Sequence, residues 1–598
     1  MNLPAHLAAL EAWGLIHPVM SGAEVEYRFR HAMVHEAAYS TLLRQDRREL
    51  HLAVGEVLAA GSGPASEEMA PLLGFHFNEA GDMERARHYF AQAGANAARK
   101  YAHHEALSYY TQAIRATAQP PAALFQARGQ VYELTGEFEA ARQDFEHSAE
   151  VARAAGDLAA EWQALLRLGL LWAGRDYDRS GKYCQMAFEL AEKIGQPALI
   201  ARSYNRLGNW HLNVEQPREA ARCHGQALVI FQALRDEAGI AETLDLLGMS
   251  SMLGGDMARG VQYYQQAIDL NRRLGDRLAL AHVLGSQLLA ANGGYQTQTL
   301  RASLLSQADL TAQGQQAARM THEIGYRDDE AFVNMILSNY GQGRGDYRLA
   351  LDAGAAGLEI ATEIGHRQWM AGLRYTLGLV DYDILALPQA IELLKSGLEL
   401  SREIRSQHWM RCHIGMLAVA YVDSQMLGEA AAVLETGTDV RQPPESLGER
   451  LVTFGRACLA RARGDLSQAL QLADILIAAA QSVAPADAYE PVPLLLLLRG
   501  GVQADLGKLE PAERDFRPAI QAASTYGERP LVWRLRKALA QVLEQQGRTD
   551  EAAQEFELAR ALVAELADGL PDAKLQEHFR VQSGLFASRI EELSHYDY

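Results

Sequence analysis

The chain has 598 residues, more than one compact core usually holds, so it must form several domains or a stacked array. Its formal net charge of −19 leaves no global positive field to draw in nucleic acid or an anionic membrane surface. Prolines number only 18, and long alternating runs of Val, Ile and Thr are missing, so helix is expected nearly throughout.

Four cysteines, Cys184, Cys223, Cys412 and Cys458, are too few and too scattered for a disulfide framework or a zinc site. They are expected to be reduced core thiols of a cytoplasmic protein. Met1 to Met20 has no basic stretch ahead of its apolar residues, and the longest apolar run, Leu494 to Leu498, is too short to cross a bilayer. No membrane partner is expected.

In chain order, a short helix over Leu7 to Trp13 comes first. Gly14 to Val19, a Ser21-Gly22 turn and the alternating Val25 to Arg30 then predict a β-hairpin. Helices follow over His31 to Leu43 and Arg47 to Leu58. His31 and His35 have the spacing of a helical metal chelate, but no third ligand or His-Glu-x-x-His pattern accompanies them, so ordinary packing is expected. The basic stretch Arg44 to Arg48 could meet phosphates; a solvated face or a contact to another module is the preferred reading.

Beyond residue 71 the chain repeats itself. Glu323-Ile324-Gly325 returns as Glu363-Ile364-Gly365 and as Glu403-Ile404-Arg405, each step 40 residues, and Trp369-Met370 returns as Trp409-Met410. Between Gly275 and Gly325 the step is 50, which places an insertion of about ten residues in the polar segment Gly293 to Ser306. Each period carries an amphipathic helix with a glycine on its apolar side, such as Gly208 or Gly248, where a neighbour must come close. A turn follows: Gly81-Asp82, Gly136-Glu137, Gly255-Asp256, Gly345-Asp346, Gly464-Asp465, Gly507-Lys508 or Gly547-Arg548. Gly is expected to close the first helix in a left-handed cap and Asp to start the second. Such a hairpin cannot bury its apolar stripe alone, so copies must stack.

Leu207-Gly208-Asn209, the Gly-Asp turns and the paired alanines of the second helices resemble tetratricopeptide repeats of the longer, roughly 40-residue variety. The resemblance implies an all-α, tetratricopeptide-type α-solenoid, a right-handed superhelix of helix hairpins, with a small β-hairpin near the N-terminus. About twelve hairpins would run from Leu72 to Leu566. Tyr27-Arg-Phe29-Arg30-His31, continuing through Tyr39, Leu42-Leu43 and Arg48-Glu-Leu50-His51, resembles the end of the winged-helix segment of large bacterial signal-transduction ATPases, the STAND or AAA-like proteins. Leu570-Pro571-Asp572 to Phe579 is similar to the closing helix of their repeat sensors. The implied organisation is a truncated winged-helix-like segment with linker helices at 1–71, repeats at 72–292, an inserted loop at 293–306, repeats at 307–566, and a closing helix and tail at 567–598. The shortened wing suits a fragment, a split-gene product or a chain with a late start codon.

The chemistry of catalysis has no visible owner. No Gly-x-x-x-x-Gly-Lys-Ser/Thr occurs; Gly507-Lys508 has Val502 in place of the first glycine and Leu509 in place of the hydroxyl. No Gly-x-Ser-x-Gly elbow or Cys-x-x-Cys pair is present. No enzyme activity, cofactor or metal is therefore expected. In repeats of this kind the first helix faces the concave groove, and on the Gly208 helix Arg202, Asn205, Asn209 and Asn213 make one polar stripe. On the next first helix the stripe is Glu242, Asp245, Met249 and Met252. Amides and a guanidinium fork beside soft apolar side chains suit a protein or peptide partner. The expected role is an interaction scaffold or sensor in bacterial signalling, working with an ATPase module absent from this chain. A transcription regulator using the N-terminal wing on DNA, and a part of an ATP-dependent signalling enzyme, are the alternatives.

Overall fold

The computed structural model describes residues 3–21, 24–61, 66–291, 308–436, 443–481 and 491–586. The expected insertion at Gly293 to Ser306, Gly22 of the expected wing turn and the tail after 586 lie outside these residues. Contacts divide the chain into two compact units, residues 1–131 and 132–598.

The first unit opens with helix Leu3–Ala12 and an antiparallel pair of strands, Ile16–Ser21 and Glu24–Phe29, with Ile16 opposite Phe29. Helices Ala32–Thr41 and Arg44–Gly61 follow. The His35 ring lies 5.1 Å from that of Phe29, at the end of the second strand, and 6.1 Å from that of Tyr39, one turn on along its helix. Helices Ser66–Ala80, Met83–Arg99, His103–Arg115 and the start of Ala122–Leu134 complete the unit around Leu73, Phe77, Phe90 and Tyr110.

The second unit is built from helix hairpins, and the local reason is the one the turns suggest. Gly136, Gly255, Gly345, Gly464, Gly507 and Gly547 all adopt positive φ, closing a first helix. Asp256 then accepts a hydrogen bond from Arg259 N, and Asp346 one from Leu349 N, each starting a second helix. Typical pairs are Pro197–Asn213 with Pro217–Leu234, Glu237–Leu253 with Met257–Leu274, Arg327–Arg344 with Tyr347–Glu363, and Arg367–Asp383 with Leu387–Glu403. The glycines inside first helices sit where a second helix presses. A Cβ on Gly208 would lie 2.4 Å from the His224 ring, and one on Gly248 would lie 2.6 Å from Tyr264. Cys184, Cys223 and Cys412 are buried and all four cysteines are free thiols.

Residues far apart in sequence also meet within this unit. Gln368 N donates to Gly174 O at 3.1 Å, Tyr177 N to Ile404 O at 3.3 Å, and Arg175 Nη2 to Ile364 O at 2.8 Å. Glu215 accepts from Gly448 N at 2.8 Å. The array therefore winds until the turns near residues 174–218 touch the turns near 364–448. The same return recurs later, where Arg529 Nε donates to Arg344 O at 2.8 Å and Arg534 pairs with Asp383 at 2.8 Å. Among the described residues, no helix is long and apolar enough to cross a membrane.

Candidate functional site

The first helices of the second unit line the inside of that winding, and because the turns touch, the inside is a cavity of about 1150 Å³. This slightly exceeds the ~300–1,000 Å³ usual for small-ligand sites. On Pro197–Asn213 the lining residues are Arg202, Arg206, Asn209 and Asn213, successive steps of four, three and four along one helical face. Helix Glu237–Leu253 contributes Glu242, Asp245, Leu246, Met249 and Leu253. Further round, Arg277–Gln287 adds His282, Arg327–Arg344 adds Asp328, Asp329 and Phe332, and Arg367–Asp383 adds Gln368 and Trp369. His408 and Trp409, on helix Gln407–Asp423, complete the circuit.

Of the six residues expected to face a partner, Arg202, Asn209, Asn213, Asp245 and Met249 line the cavity. Asn205 does not. It is fully buried between two first helices, donating through Nδ2 to Thr243 Oγ1 at 2.8 Å. The stripe steps by four residues from Arg202, not three, so Arg206 holds the place expected for Asn205. Met252 is likewise buried, against Gly260, and Met249 takes the cavity side.

Arg206 is ion-paired to Glu242, and burial lowers its pKa. Arg202 is 52% exposed and only loosely paired, 3.9 Å from Asp236, so its guanidinium is available to a ligand. Elsewhere the lining is acidic and aromatic. His282 stacks on Phe332 at 4.8 Å, Phe332 meets Trp369 at 5.0 Å, and Trp369 stacks on His366 at 5.0 Å. His282 Nδ1 lies 2.9 Å from Asp329 and its Nε2 3.4 Å from Asp245. Burial opposes its charge, but Asp329 and Asp245 outweigh burial and push the imidazole up to about 10. His366 behaves oppositely. Its Nδ1 accepts from Trp369 N at 3.3 Å while Nε2 faces Asp328 at 3.3 Å, the pattern of a neutral ring, and burial holds it down to about 4. Trp369 Nε1 donates to Asp328 as well.

Sequence reasoning missed Arg206, His282, Asp328, Asp329 and His366, because only the winding brings them together. The recurrence of Trp369 at Trp409 was the one available sign, and both line the cavity. One arrangement resembles a nucleophilic triad: Cys412 Sγ lies 3.8 Å from His408 Nε2, and His408 Nδ1 lies 3.8 Å from Glu215. Cys412 is fully buried, however, so its sulfur cannot meet a substrate, and the long contacts suit a structural cluster. Among the described residues no group of three His, Cys, Asp or Glu side chains is placed to hold a metal ion.

A tetratricopeptide-repeat family model matches residues 122–154, the stretch of helices Ala122–Leu134 and Phe138–Ala155. The fold is a tetratricopeptide-type α-solenoid. No curated protein sequence matches the chain. Similar solved structures include a Rap protein complexed with competence and sporulation factor, 13% identical, covering 70% of this chain and 99% of that one, with a TM-score of 0.41. The Rap conjugation gene regulator of the plasmid pLS20 in complex with the Phr* peptide is 17% identical, covering 48% of this chain and 76% of that one, with a TM-score of 0.40. A STAND protein with a tetratricopeptide repeat sensor from Pyrococcus horikoshii is 16% identical, covering 72% of this chain and 61% of that one, with a TM-score of 0.39. These likenesses concern the fold alone.

Proposed function

We propose that this protein is an interaction scaffold that captures a short peptide segment in the cavity of residues 132–598. The observation that carries this reading is the lining: loosely paired Arg202 with Asn209 and Asn213 on one helix, and Leu246, Met249 and Leu253 on the next, all inside one space of about 1150 Å³. Amides and a guanidinium fork take backbone carbonyls or a carboxylate, while the apolar stretch takes side chains. A space of about 1150 Å³ is too small for a folded domain and generous for a small metabolite. The test is selection of a random synthetic heptapeptide library on the full chain and on Asn209→Trp/Asn213→Trp, which fills the space. Peptides retained by the first and lost by the second support the reading; none retained, or equal retention, sinks it.

The signalling role belongs to the same proposal, with the captured peptide as input and a separate ATPase or signalling module as recipient. A specific observation favours a second partner on the first unit: Trp13 is 72% exposed, Met33 80%, Leu43 71% and Val57 72%. Co-purification of an ATPase with the full chain, lost on Trp13→Ser/Met33→Ser, is the expected outcome. A native-cytoplasm pull-down without an ATPase removes that recipient.

A further inference from the structure

The acidic and aromatic part of the cavity contains more negative charge than its own basic partners answer. Asp245, Asp328 and Asp329 lie along the row His282, Phe332, Trp369 and His366, across helices Glu237–Leu253, Arg277–Gln287, Arg327–Arg344 and Arg367–Asp383. His282 is the one cation in direct contact with these carboxylates among the described residues, and it is shared between Asp245 and Asp329. Asp328 meets only neutral donors, the Trp369 indole and the His366 ring. Arg175 also feels the charge of Asp328, but its Nη2 is given to Ile364 O and its guanidinium lies 4.0 Å over the Phe138 ring.

A second observation comes from the same cavity. The Gln368 and Asn271 side chains line the cavity at 9% and 3% exposure, and neither amide has a hydrogen-bond partner among the described residues. One oxygen of Asp245, Oδ1, is buried without a partner too. Polar groups in protein interiors are nearly always satisfied, so two cavity-lining amides left open suit an occupant that hydrogen-bonds. Acceptors outnumber cations here, and the Phe332 and Trp369 rings beside them offer faces that attract a cation.

We propose that this wall is the subsite for a cationic group of the captured peptide: a lysine or arginine side chain, or a free ammonium terminus. Its N–H donors answer Asp328 and the Gln368 amide oxygen. Its aliphatic stem lies along Phe332 and Trp369. The assignment rests on the peptide-capture reading and adds to it the charge that the peptide must carry.

The experiment uses the same heptapeptide library on the full chain and on Asp328→Asn, which keeps the shape and the acceptor for Trp369 while removing the charge. The wild type should enrich Lys or Arg at one position, or free amino termini, and Asp328→Asn should lose that enrichment. For one selected peptide, Asp328→Asn should weaken binding tenfold or more. Replacing the basic residue by Gln, or acetylating the terminus, should weaken it similarly, and only one of these two changes should act, which tells the side chain from the terminus. A second variant, His366→Phe, should keep the preference, because it leaves the carboxylates in place. Selection of peptides without a basic residue or free terminus, still lost on Asn209→Trp/Asn213→Trp, would overturn the cation subsite and leave peptide capture standing. An empty selection overturns both.

Discussion

Two histidines show how the same burial gives opposite charge states. His224 is fully buried with neither ring nitrogen hydrogen-bonded, and burial holds its pKa down to about 3, against an ordinary 6.5. It is neutral in the fold and charged in the unfolded chain below pH 6.5, so stability falls as pH drops from 6.5 towards 3. The slope from this one group is at most about 1.4 kcal/mol per pH unit. His224→Leu should therefore gain on the wild type steadily between pH 6.5 and 4 in urea titrations; parallel curves would contradict the assignment. His282 runs the other way. Its folded value of about 10 lies above 6.5, so its contribution is complete below pH 6.5 and disappears as pH rises through about 10. His282→Gln leaves Asp245 and Asp329 facing each other and should cost about 2 kcal/mol at pH 6.5, after allowance for the ring's access to the cavity. The difference in melting temperature should shrink towards pH 10. Neither state was visible in the sequence, where both are lone histidines on amphipathic helices; the charge state comes from Gly208 admitting one ring to a dry interface and from two carboxylates two repeats apart enclosing the other.

At the scale of the helix hairpin the sequence was far more explicit, because the forces are local and repeat. Positive φ at Gly136, Gly255 and Gly345 and the Asp caps that follow need only neighbours a few residues away, so they leave a mark every period. Glycine at a helix crossing leaves the same kind of mark, though not every helical glycine is one. Gly208→Ala places a methyl 2.4 Å from His224 and should destabilise by about 1–3 kcal/mol. On the facing helix Pro217–Leu234, Gly225 has nothing within 4 Å of a Cβ, so Gly225→Ala should stabilise by about 0.5–1 kcal/mol through helix propensity. Chemical denaturation of the two variants decides this, and equal signs would refute the packing argument. The misplacement of Asn205 has a similar local cause. Positions three and four residues on from Arg202 both lie near one face, and only the angle at which the next first helix approaches assigns Asn205 to Thr243 and Arg206 to the cavity.

In the second unit as a whole, the return of the array on itself had no periodic signal, since it joins residues roughly 190–230 apart at turns. Its trace in the sequence was a departure from the repeat. At the turn where Gly136, Gly255 and Gly345 stand in other hairpins, Glu215 adopts φ 63°, a conformation that costs a non-glycine residue about 1–2 kcal/mol. What offsets the cost is the clasp it makes: Arg411 Nη1 at 2.5 Å, Gly448 N at 2.8 Å and His408 Nδ1 at 3.8 Å, with the carboxylate 4% exposed. Burial alone would raise its pKa, yet His408 and Arg411 hold it below the ordinary carboxylate range. Solenoids whose repeats touch only neighbours unfold piecemeal, whereas contacts between successive turns tie distant repeats into one transition. Glu215→Ala removes the buried ion pair to Arg411 and should cost about 3 kcal/mol, while Glu215→Gly, relieved of the backbone strain, should cost about 1 kcal/mol less. Both should lower the dependence on denaturant concentration, because residues 174–218 and 364–448 would no longer unfold together. Tryptophan fluorescence during guanidinium unfolding reads this directly through Trp210 on one side and Trp369 and Trp409 on the other. A wild-type transition already as graded as that of Glu215→Ala would show that the turns touch without being coupled.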